Sequence, residues 1–113
     1  MPRDARVRLQ DMLDAASRIA EYLDGLTAEQ FMEDRRTVDA VVRNLEVVGE
    51  AARAIDDATR RAMPAVPFAE MAGMRDVLIH GYHRVDDELV WDAASRVLPG
   101  AAMEIRRFLA LNR

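Results

Sequence analysis

Apolar side chains recur at steps of three and four residues along almost the whole chain. Leu9, Met12, Leu13, Ala16, Ile19, Ala20, Leu23 and Leu26 mark the first stripe. Such spacing lines one face of an α-helix, where each residue turns by about 100°. Strand signals are missing: there is no alternating β-branched run and no Asn-Gly hairpin between two such runs. The expected fold class is all-α. The 113 residues supply one domain with one modest core, not two. An antiparallel up-and-down four-helix bundle with one or two extra short helices, residues 1–113 as a single domain, is the natural packing.

Punctuation divides the stripes into helices. Asp24-Gly25 closes the first. Thr27 reads as an N-cap with Gln30 in capping-box position, starting a short helix through Phe31 and Met32. A long helix follows over about 35–55, with Val38, Val41, Val42, Leu45, Val48, Ala52 and Ile55 as its stripe. Gly49 lies inside it at a cost of about 1 kcal/mol relative to Ala, which predicts a close approach by another helix. Asp56-Asp57 is expected to end the long helix, because anions are poorly placed at a negative C-terminal pole. Ala58 to Met63 adds a turn before Pro64 and Pro67 break the chain. The next helix spans about 68–82. Asp86 is expected to cap its successor, with Val85 stapled to Val90, and Trp91, Ala94, Val97 and Leu98 form that helix's core face. Pro99 either kinks this helix or starts a new one. Ala102, Ile105, Phe108 and Leu109 carry the last stripe.

Composition excludes several function classes. There is no cysteine, hence no disulfide and no cysteine-based metal site. His80 and His83, three residues apart without further ligand spacing, make no metal motif, and no loop of glycines cradles a phosphate. Neither a metal nor a cofactor is expected. No apolar run approaches the roughly 20 residues of a membrane span, and no signal-peptide pattern follows Met1, so a cytoplasmic location is expected. The net charge of −4 argues against a broad nucleic-acid footprint. All sixteen basic residues are Arg, which reads as base composition rather than as Arg selected for phosphate.

The chemistry concentrates in Met71-Ala72-Gly73-Met74-Arg75-Asp76-Val77-Leu78-Ile79-His80-Gly81-Tyr82. Arg is a permanent cation whose planar fork fits phosphate oxygens. His exchanges a proton near neutral pH, and a Tyr hydroxyl donates, accepts or is modified. On a helical wheel Tyr82 falls within about 20° of Arg75, while His80 lies about 140° away. Asp76 and His80 are one turn apart. Asp76, Ile79 and His83 fill the arc between Arg75 and His80, and Met74, Val77, Leu78 and Gly81 the other side, so one face is apolar, the side expected to pack, and the other mostly reactive-polar. One helix does not close an Arg–His site across so wide an angle. A second surface, or a second copy of the helix, would complete it. Taken singly, these residues have ordinary readings: a solvated or ion-paired Arg, a structural His, and Glu46 and Glu50 in i,i+3 pairs with Arg43 and Arg53.

Arg75-Asp76-x3-His80-x-Tyr82 resembles the Arg–polar–x3–His motif of the HEPN superfamily, in the Arg-x4-His-x-Tyr form of the HepT-like toxins. The likeness runs over nearly the whole chain: Val48-Gly49-Glu50-Ala51, Pro64 to Phe68, Gly73-Met74-Arg75, and Val85-Asp86 through Trp91 fall in the family's order. Phe68 stands where such proteins often carry Trp. The resemblance implies a ribonuclease toxin of a type II or type VII-like toxin–antitoxin pair. It further implies a homodimer with the two motif helices meeting on the two-fold axis, and a small nucleotidyltransferase antitoxin that transfers AMP onto Tyr82. Arg75 and His80 would be catalytic, on RNA and without a metal, with Asp76 and Tyr82 in support. Asp76 could fix the His tautomer, though its charge also repels phosphate. The competing class is a catalytically weak binding module, the docking partner and substrate of the nucleotidyltransferase. A purely structural dimerisation bundle is the third.

Overall fold

The computed structural model describes residues 1–81 and 86–113, and these form helices with no strand among them. In order they are α1 (Arg3–Leu23), α2 (Ala28–Glu33), α3 (Arg35–Arg53), α4 (Asp57–Arg61), α5 (Phe68–His80), α6 (Asp87–Asp92), a π-helical turn (Ala93–Val97) and α7 (Leu98–Leu111). None of these is long and apolar enough to cross a membrane.

Most of the stripe residues read from the sequence form the core, while Ala20 is exposed and Leu23, Val42, Val97, Phe108 and Leu109 are partly buried at its margin. Leu9, Met12 and Ile19 of α1, Val41 and Val48 of α3, Phe31 of α2 and Ile105 of α7 are almost wholly buried. The central pair is α1 against α3. On one side α3 also carries α5, and on the other α1 carries α7 and the π turn. The N-terminal turn of α1 meets the C-terminus of α7, where the Arg6 guanidinium donates to the Asn112 carbonyl. Asn44, buried on α3, is fully satisfied: its amide donates to the Ala40 carbonyl at 2.9 Å and its oxygen accepts from Arg18 Nε at 2.8 Å. A buried amide left unpaired would be costly, so Arg18 and Asn44 fix the register of α1 on α3.

Helix starts are set by short polar side chains. Thr27 and Gln30 form the reciprocal capping box at α2. Asp34 caps α3 by accepting from the Thr37 amide and hydroxyl, and Asp56 caps α4 by accepting from the same two groups of Thr59. The Asp56-Asp57 pair therefore has another role than the expected stop signal. α3 ends at Arg53, and the two aspartates open α4, where the N-terminal pole favours anions. What closes α3 is Arg60, which donates to the Ile55 and Ala52 carbonyls, both at 3.0 Å. The Arg60 guanidinium also lies over the Phe68 ring, 5.9 Å from its centroid, and so joins the end of α3 to the start of α5.

Pro99 occupies the second position of α7, as the reading of a new helix start had it. The π turn lies just before it, with the Leu98 amide donating five residues back to the Ala93 carbonyl. Widening the helix there suits a ring that cannot donate to the preceding turn. Asp86 caps α6 by accepting from the Glu88 amide. Trp91 is half-buried, its ring 5.3 Å from that of Phe31. The staple from Val85 lies outside the described residues.

The two Asp–Thr caps carry a pH signature. Hydrogen bonds donated by Thr37 and Thr59 hold the Asp34 and Asp56 carboxyls below their ordinary value of 3.8. A lowered folded-state value means stability that is present above the unfolded-state value and is lost as pH falls through the folded-state one. Asn caps a helix about as well as Asp and does not titrate. The double variant Asp34→Asn/Asp56→Asn should match the wild-type Tm near pH 7 and lose less of it between pH 5 and 3, as followed by circular dichroism.

Candidate functional site

The buried stripe of α5 runs Phe68, Met71, Arg75, Leu78, a spacing of three and four residues. Three members are apolar. The fourth is Arg75, whose side chain is 25 % exposed. A long cation on a packed stripe needs room at its base and a partner at its head. Gly49 of α3 gives the room: a Cβ there would fall 2.5 Å from Arg75 Cβ and 2.8 Å from the Met71 carbonyl oxygen. The close approach expected from this glycine is thus an approach by the motif helix itself.

Glu50, the next residue on α3, gives the partner. Its Oε2 accepts from Arg75 Nε at 2.6 Å. Arg75 Nη1 also donates to Asp76 Oδ1, at the longer distance of 3.3 Å. Asp76 is held more closely by Arg53, whose Nη2 lies 2.6 Å from both carboxylate oxygens. That bond, first among several causes, keeps the Asp76 carboxyl below its ordinary value; the charges of Arg53 and then Arg75 add to it, against some desolvation. Arg53, Asp76, Arg75 and Glu50 form an alternating row of charge across the seam between α3 and α5. For Glu50 and Arg53 the pair expected within α3 gives way to pairs between helices. Gly49 brings α5 so near that its Arg and Asp reach Glu50 and Arg53 first.

His80 is exposed at the end of α5, and its Nδ1 lies 3.1 Å from the main-chain carbonyl of Asp76. A carbonyl only accepts, so the contact is a hydrogen bond when Nδ1 carries a proton, and in a neutral ring Nε2 is then the bare nitrogen. Asp76 thus orients the imidazole through its backbone, while its carboxylate serves the row of charge. Among the described residues Arg75 and His80 share no hydrogen bond, in keeping with their separation on the wheel. Tyr82 and His83 lie outside the described residues. No group of three or more His, Asp or Glu gathers as a metal site among the described residues.

Val77 departs from its expected place on a packed side. It is 54 % exposed, and Ile79 is 38 % exposed. Because α5 leans on α3 through one narrow seam, only the stripe through Arg75 is covered. On the other flank of Arg75, a depression of about 230 Å³ is lined by Arg8 and Asp11 of α1, by Arg43, Glu46 and Glu50 of α3, and by Ile79. Acids and bases alternate there too. Glu50 and Arg53 were the residues that sequence reasoning misplaced. The signal that identifies them is their position beside Gly49, the one glycine inside α3.

Comparison with known proteins places the chain in a family. The family model described as "Ribonuclease HepT-like" matches residues 12–108. A candidate RNase of Methanocaldococcus jannaschii is 34 % identical over 110 residues, covering 96 % of this chain and 91 % of its own. A second from that organism is 37 % identical over 107 residues, covering 95 % and 88 %. A protein of Thermococcus cleftensis named probable ribonuclease HepT is 37 % identical over 99 residues, covering 88 % and 90 %. No solved structure gives a significant match. The chain belongs to the HepT-like ribonuclease family.

The seam at Gly49 makes a direct prediction. Gly49→Ala gains about 1 kcal/mol of helix propensity. The new Cβ meets another Cβ and a main-chain oxygen, neither of which can swing aside, and overpacking of that kind costs up to about 3 kcal/mol. A net loss of about 1–2 kcal/mol should lower Tm by roughly 4–10 °C in a scanning calorimeter. An unchanged or raised Tm would mean that α5 does not sit on Gly49.

Proposed function

We propose that the chain is an endoribonuclease that cuts RNA without a metal, with Arg75 and His80 as its catalytic residues. The observation that carries this reading is the pairing on α5 of a guanidinium seated at the α3–α5 seam with an exposed imidazole whose Nε2 points away from its anchoring bond. Membership of a ribonuclease family supports it. RNA brings its own nucleophile. His80 Nε2 takes the proton of a 2′-OH, and the oxygen attacks the adjacent phosphorus. The bond to the 5′-oxygen breaks, and that oxygen leaves with a proton from the medium. The products are a 2′,3′-cyclic phosphate and a 5′-OH. Arg75 stabilises charge on the phosphate oxygens.

Two copies of the chain make the site. The exposed Ile79, on the arc between Arg75 and His80, supports a homodimer in which one α5 faces another across a two-fold axis. Each Arg75 then works beside the partner's His80, which closes the wide angle on a single helix. In this reading the four long helical stretches form an up-and-down bundle, and the protein acts in the cytoplasm as the toxin of a type II or type VII-like pair. A small nucleotidyltransferase antitoxin neutralises it by transferring AMP from ATP onto Tyr82. Each AMP brings a phosphate that Arg75 binds in place of RNA, and its bulk fills the cleft.

One observation favours a second reading. Among the described residues the depression beside Arg75 is lined by as many carboxylates as guanidinium groups, with Glu50 bonded to Arg75 itself. That balance suits a catalytically weak module that docks onto the nucleotidyltransferase and is modified by it.

Cleavage of RNA in excess chelator separates the two. The purified protein should leave cyclic phosphate ends, and His80→Ala should abolish cutting while keeping the helical spectrum. Equal cutting by His80→Ala would remove His80 from the mechanism, and a dead His83→Ala beside an active His80→Ala would move the role to His83. Mass spectrometry after co-expression with the nucleotidyltransferase should find AMP on Tyr82, absent in Tyr82→Phe. An inhibited complex with unmodified Tyr82 would mean inhibition by occlusion.

A further inference from the structure

Asp76 poses a difficulty for a phosphate site: its carboxylate adjoins Arg75, where it would both repel phosphate and occupy the guanidinium. We infer that Arg53 resolves this, as a positioning residue that holds the Asp76 carboxylate and so leaves the outer edge of Arg75 for an RNA phosphate. This inference rests on the ribonuclease reading of the site.

The geometry is an unequal competition. Asp76 lies 2.6 Å from Arg53 Nη2 through both of its oxygens, and 3.3 Å from Arg75 Nη1 through one. Glu50 takes Arg75 at Nε, on the inner edge of the guanidinium. Asp76 already accepts from Nη1 at 3.3 Å; drawn closer, it would compete with a phosphate for the Nη1 side of the fork while Glu50 holds Nε. Bidentate capture of a phosphate needs an adjacent pair of donors. With Asp76 drawn toward Arg53, its bond to Nη1 stays long, and a phosphate can displace it from the Nη1–Nη2 edge. Arg53 is the last residue of α3, and its side chain is about half exposed, 49 %. Removing it therefore leaves no buried void. One nitrogen serves both carboxylate oxygens, so a lysine ammonium can do the same work.

The test is a double-mutant cycle read by binding and by cleavage. The binding probe is a mixed-sequence single-stranded RNA oligomer with 2′-O-methyl groups, which has no nucleophile and cannot be cut. The cleavage probe is the same oligomer with 2′-OH groups. Arg53→Ala should bind roughly three- to fivefold more weakly, the scale of a rearranged surface ion pair. KM for cleavage should rise by a similar factor with kcat little changed. Arg53→Lys should stay near wild type. The decisive variant is Arg53→Ala/Asp76→Asn: with no carboxylate to restrain, losing Arg53 should cost nothing, and binding should return to the wild-type level or above. If the double variant stays as weak as Arg53→Ala, Arg53 touches RNA itself and the positioning role is wrong. Thermal melts of all variants within a few degrees of each other exclude misfolding as the cause. Failure of the ribonuclease reading looks different: Arg75→Ala and His80→Ala would cut as wild type does, while the cycle would still report on binding. A wild-type protein that neither binds nor cuts either oligomer would overturn both.

Discussion

The packing of α5 on α3 across Gly49 is the constraint on which the site depends. It is a close approach, with no space for even a methyl group between Gly49 and the base of Arg75. The approach puts an arginine on a stripe that is otherwise apolar, and it brings Glu50 and Arg53 within reach of Arg75 and Asp76. Arg60 reinforces the same junction, closing the end of α3 while lying over Phe68 at the start of α5. Position is set by apolar packing and glycine, and charge is then arranged on that frame.

Each ion pair in the row is partly solvated, and such pairs add little to stability. Their consequence is directional. Glu50 fixes which edge of the Arg75 guanidinium faces inward, and Arg53 fixes where the Asp76 carboxylate points. His80 is oriented independently, through a main-chain carbonyl one turn back. A helix therefore presents a guanidinium and an imidazole from one segment, with their orientations held by different partners. The wide angle between them is why a second copy of α5 belongs in the functional reading.

Much of the fold was legible because periodicity and capping are local. The stripes of α1 and α3, the Thr27–Gln30 box and the Asp86 cap could be read within a few residues of chain. Less legible was whatever depends on two segments meeting. Glu50 and Arg53 look like members of intrahelical pairs until α5 is placed against Gly49. Asp56 and Asp57 look like a stop for α3 until the following turn is seen to need a cap. Val77 looks like core on a wheel that assumes α5 is covered on a full face. Arg75 was found by its motif, but its place on the stripe Phe68–Met71–Arg75–Leu78 was also written in the spacing, and it explains why a glycine sits opposite.

The most direct test of the site is the protonation state of the His80 ring, read by long-range proton–nitrogen correlation NMR on labelled protein. At a pH where the ring is neutral, the expected result is a proton on Nδ1 and a bare Nε2, whose signal moves when the uncleavable 2′-O-methyl RNA oligomer is added. A proton on Nε2, or an RNA-induced change at His83 with none at His80, would contradict the assignment of His80 Nε2 as the base.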